Sequence, residues 1–213
     1  MQFLFRNSLY FIPLLVVFLG GLLFLNFYSK GEEVLFFSDN RNDFLNNFFY
    51  LVNFLGEAYF YVFFGLLFLI FKKYKAVIFI TLTGVTTLLL SQILKLYFGF
   101  PRPSIYFSEL LKMPGALKAV PGVELVSSYT SSFPSGHTMS AFALYGFLAF
   151  LIEKPVYIKL LFFVLASLAA LARVYLGQHF LMDVLGGAAF GTSVAAVFYF
   201  IFLKFEKATP SAK

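Results

Sequence analysis

Arg173–Leu203 reads RVYLGQHFLMDVLGGAAFGTSVAAVFYFIFL, and its two parts obey different rules. From Val184 to Leu203 no charged residue appears. A helix rises about 1.5 Å per residue and needs about 20 apolar residues to cross the hydrocarbon of a bilayer. Val184–Leu203 therefore predicts a membrane-spanning helix. Just before it stand Arg173, His179 and Asp183. Ionisable groups at the edge of lipid are costly and are seldom kept without a use.

Working outward, similar runs recur at Leu9–Tyr28, Ala58–Phe71, Ala76–Leu94, Thr138–Ile152 and Leu160–Ala172. The chain of 213 residues is 61% hydrophobic and 12% charged, about half the charge of an ordinary soluble domain. The expected fold is all-α: a polytopic membrane protein with six transmembrane helices in a bundle, and one domain over 1–213. Shorter runs can extend past a boundary charge by snorkelling, as at Lys159. Leu9–Tyr28 is too long for a signal-peptide core and lacks a small-residue cleavage site, so it is expected to stay as a helix. Cysteine is absent, which excludes disulfide and thiolate chemistry.

The net charge of +6 is a topology signal. With six spans, one side holds Arg6, Lys72, Lys73, Lys75, Lys154, Lys159, Lys204, Lys207 and Lys213. The other holds Lys30, Arg41, Lys95, Arg102, Lys112, Lys118 and Arg173. The positive-inside rule then predicts both termini in the cytoplasm, in the inner (plasma) membrane. No nucleic-acid partner is needed to explain the basic excess, and no obligatory protein partner is evident.

Residues 29–57 join the first two runs. Phe44, Phe48, Leu51 and Leu55 recur at helical spacing, as in a helix lying in the interface, although acids on its polar face also suit a plain linker. Glu57 reads as an interfacial carboxylate ahead of a buried functional acid. The loop 99–133 carries Pro101, Pro103, Pro114, Pro121 and the Ser/Thr-rich run Ser127 to Ser132. Loops longer than about 12–15 residues are usually functional or disordered.

Two further polar clusters fall on the same face as Arg173, His179 and Asp183. Lys95 and Arg102 sit about two helical turns apart where Pro101 and Pro103 end a span. A guanidinium held between prolines suits bidentate phosphate binding, whereas a lysine at a span end is often only an anchor. Pro134-Ser135-Gly136-His137 opens another span. Ser135 is a good N-cap, and amides at a helix start bind anions, though a capping serine needs no ligand.

His179 and Asp183, four apart, are expected on one helix face, where the carboxylate fixes the imidazole tautomer and frees the other nitrogen. A metal is not expected, because the neighbours are cations and only two histidines exist. Cations, anion-binding amides and two histidines form an inventory for phosphoryl transfer to histidine.

In order and spacing, Lys95-x6-Arg102-Pro103, Pro134-Ser135-Gly136-His137 and Arg173-x5-His179-x3-Asp183 resemble the three-part signature of the type 2 phosphatidic acid phosphatase superfamily. Its members are metal-independent phosphatases, mostly of membrane lipids. The resemblance implies that His179 is the nucleophile, Asp183 orients it and His137 is the general acid. It also implies that Lys95, Arg102, Ser135, Gly136 and Arg173 hold the phosphate. One departure is Ala172, where the motif usually has serine.

The implied function is hydrolysis of a lipid phosphomonoester or pyrophosphate at the outer leaflet, without cofactor. The candidate classes are undecaprenyl pyrophosphate, phosphatidylglycerophosphate and lipid A 1-phosphate. A lipid-linked phosphotransferase would use the same residues; a non-enzymatic lipid transporter would not need His179 and Asp183 in register.

Overall fold

The computed structural model describes residues 2–126 and 131–208. Ser127, Ser128, Tyr129 and Thr130 of the Ser/Thr-rich run, and Lys213 among the counted cations, lie outside the described residues. Among the described residues there is no strand.

A short α1 (Gln2–Arg6) leads into α2 (Ser8–Phe27); α3 (Glu32–Asp39) and α4 (Asp43–Asn53) follow. A 3₁₀ turn, Phe54–Gly56, then passes into α5 (Ala58–Ile70). Next come α6 (Tyr74–Phe98), the single turn α7 (Pro103–Ile105) with a π-turn at Tyr106–Leu110, α8 (Gly136–Leu151), α9 (Tyr157–Tyr175) and α10 (Leu181–Ala208).

Each of the six apolar runs falls on one of α2, α5, α6, α8, α9 and α10, with Tyr28, Phe71 and Ile152 one residue past the ends of theirs. Among the described residues four helices are long and apolar enough to cross a membrane: α2, α6, α9 and α10. The pair α4 and α5, bent by 55° at the 3₁₀ turn, makes a fifth if counted as one broken span. The sixth run, α8, is only 16 residues and rises about 24 Å. It is also the central helix, with twelve of those residues buried. A helix wrapped by protein answers to its neighbours' packing, not to the thickness of the hydrocarbon. The lipid-facing helices are the converse: α2 exposes Ile12, Leu15, Val16 and Leu23.

Close approach of α10 to α8 brings the polar ends together. An added β-carbon at Gly187 would stand 2.7 Å from Ser135 O, and one at Gly191 would overlap Met139 O. Small residues four apart let helix backbones touch. The first turns of both helices are thereby joined, with Ser135 N donating to Asp183 O at 3.0 Å.

Residues 29–57 fold back over the bundle as α3 and α4. Phe44 and Leu51 lie on the exposed face of α4, as their spacing predicts, while Phe49 is buried and stacks on Tyr175 at 4.3 Å. Arg41 extends from the α3–α4 link to donate to Tyr175 O at 2.7 Å and to Lys118 O. Lys118 N donates to Ser38 Oγ at 3.0 Å, so the loop 99–133 is fastened to α3.

At the opposite end Arg6 pairs with Glu153 at 3.4 Å and Lys75 Nζ reaches Phe205 O at 3.4 Å. Lys159 differs from expectation. It does not snorkel; it is fully buried, and its amine donates to Asn7 Oδ1 at 2.5 Å. The break between α1 and α2 supplies that buried amide, which removes the need to reach water.

Candidate active site

All three motifs converge at one end of the bundle. Lys95 lies half-buried in the last turn of α6, which Gly99 closes with φ 63°. Pro101 and Pro103 hold Arg102 extended, at φ −75° and ψ 159°. The Arg102 side chain is buried, and its Nη1 donates to Gln178 O at 3.2 Å. Arg173, in the last turn of α9, donates from Nη1 to Asn53 Oδ1 at 2.8 Å. The Nε of each guanidinium is buried without an acceptor among the described residues. Neither has a carboxylate within 4 Å among them. The charges of Lys95, Arg102 and Arg173 act on one another, so the three cations share one region.

His179 and Asp183 meet, but not on one helix face. α9 ends at a turn in which Gly177 takes φ 69°, a left-handed conformation that costs a side chain with a β-carbon about 1–2 kcal/mol. Gln178 N and His179 N then both bond to Arg173 O, at 3.0 and 3.3 Å, which places His179 before α10 begins. Asp183, in the first turn of α10, reaches back. Its Oδ2 accepts from Phe180 N at 2.9 Å, in the manner of a capping box, and from Ser132 Oγ at 2.5 Å. The same oxygen lies 3.3 Å from His179 Nδ1, and Ser132 Oγ lies 3.2 Å from that nitrogen. With Nδ1 held as the donor, His179 Nε2 keeps its lone pair. Burial pushes the His179 imidazole down to about 4. The hydrogen bond from Asp183 opposes this, and the Arg173 and Arg102 charges add to the fall.

Ser135 caps α8. It is fully buried, and its Oγ accepts from Thr138 N at 3.4 Å and from Thr138 Oγ1 at 3.0 Å. Its hydroxyl thus accepts within the helix and keeps its own O–H to donate, beside the unpaired first-turn amides of Gly136 and His137. The His137 ring is held by the turn before α5: Nε2 meets Asn53 O at 2.5 Å and Nδ1 stands 3.6 Å from Glu57 Oε1. Ala172, where the family motif usually has serine, is fully buried among Phe49, Val120, Tyr175 and Leu176. A hydroxyl there would meet an apolar cluster.

Four participants escaped the sequence. Ser132 stood in a Ser/Thr-rich run with nothing to separate it from its neighbours. Asn53, 120 positions from Arg173, left no local signal. Glu57 was read as interfacial, yet it faces His137. Lys30 holds its ammonium 4.6 Å over Phe180, the residue after His179, and 4.8 Å over Tyr106. Outside this cluster a cleft of about 690 Å³ runs between α5, α6 and α8. One end carries Lys95, Gly136, His137 and Glu57; the remainder is a mostly apolar trough, with Leu66, Leu69, Val85 and Leu88 beside Thr81, Thr87 and Gln92.

The PAP2 superfamily description matches residues 75–207. Phosphatidylglycerophosphatase B of Bacillus subtilis (strain 168) is 40% identical over 75 residues, which take in 32% of this chain and 37% of that relative. The match thus spans little more than a third of the relative's length. The transmembrane PAP2 type phosphatidylglycerolphosphate phosphatase from Bacillus subtilis superposes with a TM-score of 0.63 at 22% identity, covering 98% of this chain and 100% of the other. LpxE of Aquifex aeolicus superposes with a TM-score of 0.65 at 27% identity, covering 81% and 95% respectively.

Proposed function

The chain belongs to the PAP2 superfamily, matched from residue 75 to 207, and from that premise we propose that it is a metal-independent membrane lipid phosphatase working through a phosphohistidine. One observation carries the proposal. A buried histidine, anchored through Nδ1 and free at Nε2, adjoins Arg102 and Arg173, whose Nε groups are buried with no acceptor among the described residues. Guanidinium donors buried with no acceptor and no carboxylate within 4 Å are expensive unless an anion joins them. A phosphate monoester supplies that anion.

In the first step His179 Nε2 attacks phosphorus as the bond to the lipid oxygen breaks. Arg102, Arg173, Lys95 and the Gly136 and His137 amides take the charge on the equatorial oxygens. His137 gives its proton to the departing oxygen. In the second step water attacks the phosphohistidine, His137 recovers a proton from that water, and inorganic phosphate leaves. Asp183 and Ser132 hold the attacking ring throughout.

The substrate we propose is a lipid phosphomonoester of the phosphatidylglycerophosphate class, with its tails in the α5–α6 cleft. The name of the curated relative and the apolar trough both favour it. The orientation we propose has both termini in the cytoplasm. Nine of the chain's cations lie on the terminal side against four, outside the motifs, on the other.

The test is phosphate release from purified lipids by wild-type protein and His179→Ala. Activity should fall below about a thousandth in the variant, since a covalent nucleophile is lost. Retention of more than about a tenth, a barrier change under about 1.4 kcal/mol, would refute the nucleophile. A maleimide that cannot cross the membrane should label Ser128→Cys in spheroplasts and leave Ser211→Cys unlabelled until lysis. The reverse pattern would invert the topology.

A further inference from the structure

We propose that the turn Asn53–Glu57 is a fourth element of the site, in which Glu57 is a positioning residue that holds His137 as an imidazolium ready to protonate the leaving oxygen. This rests on the phosphatase reading and adds to it a residue outside the three motifs.

The argument is one of donors and acceptors. His137 Nε2 lies 2.5 Å from Asn53 O, and a backbone carbonyl only accepts, so Nε2 carries a proton. A neutral ring would then have a bare lone pair at Nδ1. That nitrogen faces Glu57 Oε1 at 3.6 Å, again an acceptor when ionised. With Glu57 ionised, both nitrogens face negative oxygen, and the ring is matched best with both protonated. The separation at Nδ1 exceeds a hydrogen bond, so the contact is one of charge, and it leaves Nδ1–H able to turn toward an incoming oxygen.

The turn is built around this ring. A β-carbon on Gly56 would overlap His137 Cδ2 and lie 2.5 Å from Nε2, so only glycine lets the backbone close on it. Asn53 serves twice, with its carbonyl on His137 and its side-chain oxygen on Arg173. The acid and a phosphate-binding guanidinium are thus set by one residue. The other charged or titratable groups facing His137 are Arg173 from α9, His179 from the turn before α10, and Lys95 from α6 across the cleft. Each of those, when charged, opposes a second positive charge on the ring. The Asn53 carbonyl and the Glu57 carboxylate favour it, and the Glu57 side chain is 42% exposed, so it stays in contact with water.

The proton account closes. The Nδ1 proton passes to the lipid oxygen as phosphorus bonds to His179 Nε2. Nδ1 then takes a proton from the water that displaces His179. Glu57 exchanges no proton; it stabilises the charged ring before the first step and after the second.

The experiment compares two leaving groups on Glu57→Gln, which keeps shape and removes charge. With an alkyl lipid phosphate, whose oxygen needs a proton, kcat should fall by about ten- to a hundredfold, less than the about 10²–10⁴ that a general acid itself supplies, because Glu57 only supports the acid. The basic limb of its pH profile should move to lower pH. With a nitrophenyl phosphate, which leaves as a stable anion, the loss should stay under about threefold. Glu57→Asp, which restores the charge, should recover most of the alkyl rate. Equal losses on both substrates, or no loss on either, would overturn the proposal. His137→Gln separates the two readings. If it too loses both substrates equally, the general-acid role of His137 has failed; if it alone discriminates between them, only the part given to Glu57 has failed.

Discussion

Asp183→Asn puts the anchoring of His179, the proposed nucleophile, to a quantitative test. One oxygen, Oδ2, accepts from Ser132 Oγ at 2.5 Å and Phe180 N at 2.9 Å, and stands 3.3 Å from His179 Nδ1. If the amide oxygen takes the place of Oδ2, all three donors keep a partner but lose its charge. A hydrogen bond to a charged group is worth about 1.5–3 kcal/mol and a neutral one about 0.5–1.5. The two bonds that set the ring, from Ser132 and His179, would together lose about 2–3 kcal/mol, a factor of about 30–150 in rate. If the amide nitrogen faces the ring instead, His179 adopts the wrong tautomer. The loss then approaches the about 10⁴ known when the acid of a Ser-His-Asp triad becomes Asn. The expected fall in kcat therefore lies between about 30-fold and about 10⁴-fold, with KM nearly unchanged, because Asp183 does not touch the phosphate. Phosphate release by purified protein in detergent measures both constants, and thermal unfolding checks that the variant is folded. A kcat within threefold of wild type, or a loss carried by KM alone, would refute the reasoning.

Burial lowers the His179 imidazole to about 4, so the ring is unprotonated above that value and gains its proton as pH falls through it. The acid limb of kcat/KM should therefore lie near pH 4, well below the about 6.5 of a free imidazole, and an acid limb near 6.5 would contradict the burial argument. Phe49→Ala removes the ring stacked on Tyr175 and should cost about 3–5 kcal/mol. Limited proteolysis should then cut within α3 and α4 first. If the phosphate is held by cations and amides, as proposed, activity should persist in excess EDTA. Loss with chelator and recovery with one divalent ion would overturn that mechanism.

The sequence by itself determined the helical, membrane-spanning character of the chain, since long uncharged runs leave the backbone no way to satisfy its own hydrogen bonds in lipid except as helices. It also determined which ionisable groups gather at one end, because helix order and span length carry Lys95, Arg102, His137, Arg173, His179 and Asp183 there together. What it left open follows from the same physics. Lipid accepts any rotation of an apolar helix about its axis, so hydropathy does not say which neighbours a helix touches or how long a shielded helix must be. That is why α8, central and 16 residues long, can stay shorter than the about 20 residues that cross a bilayer. Tertiary packing decided that His179 would lie in a turn, not on α10, once Gly177 reversed the chain there. Packing also set Gly187 and Gly191 against α8 and so joined the second and third motifs. The partners Ser132, Asn53 and Glu57 were decided only there, since a hydrogen bond between residues 47 to 120 positions apart depends on where whole helices dock. Local spacing identifies the groups that bear charge; the packed bundle decides which donor faces which acceptor.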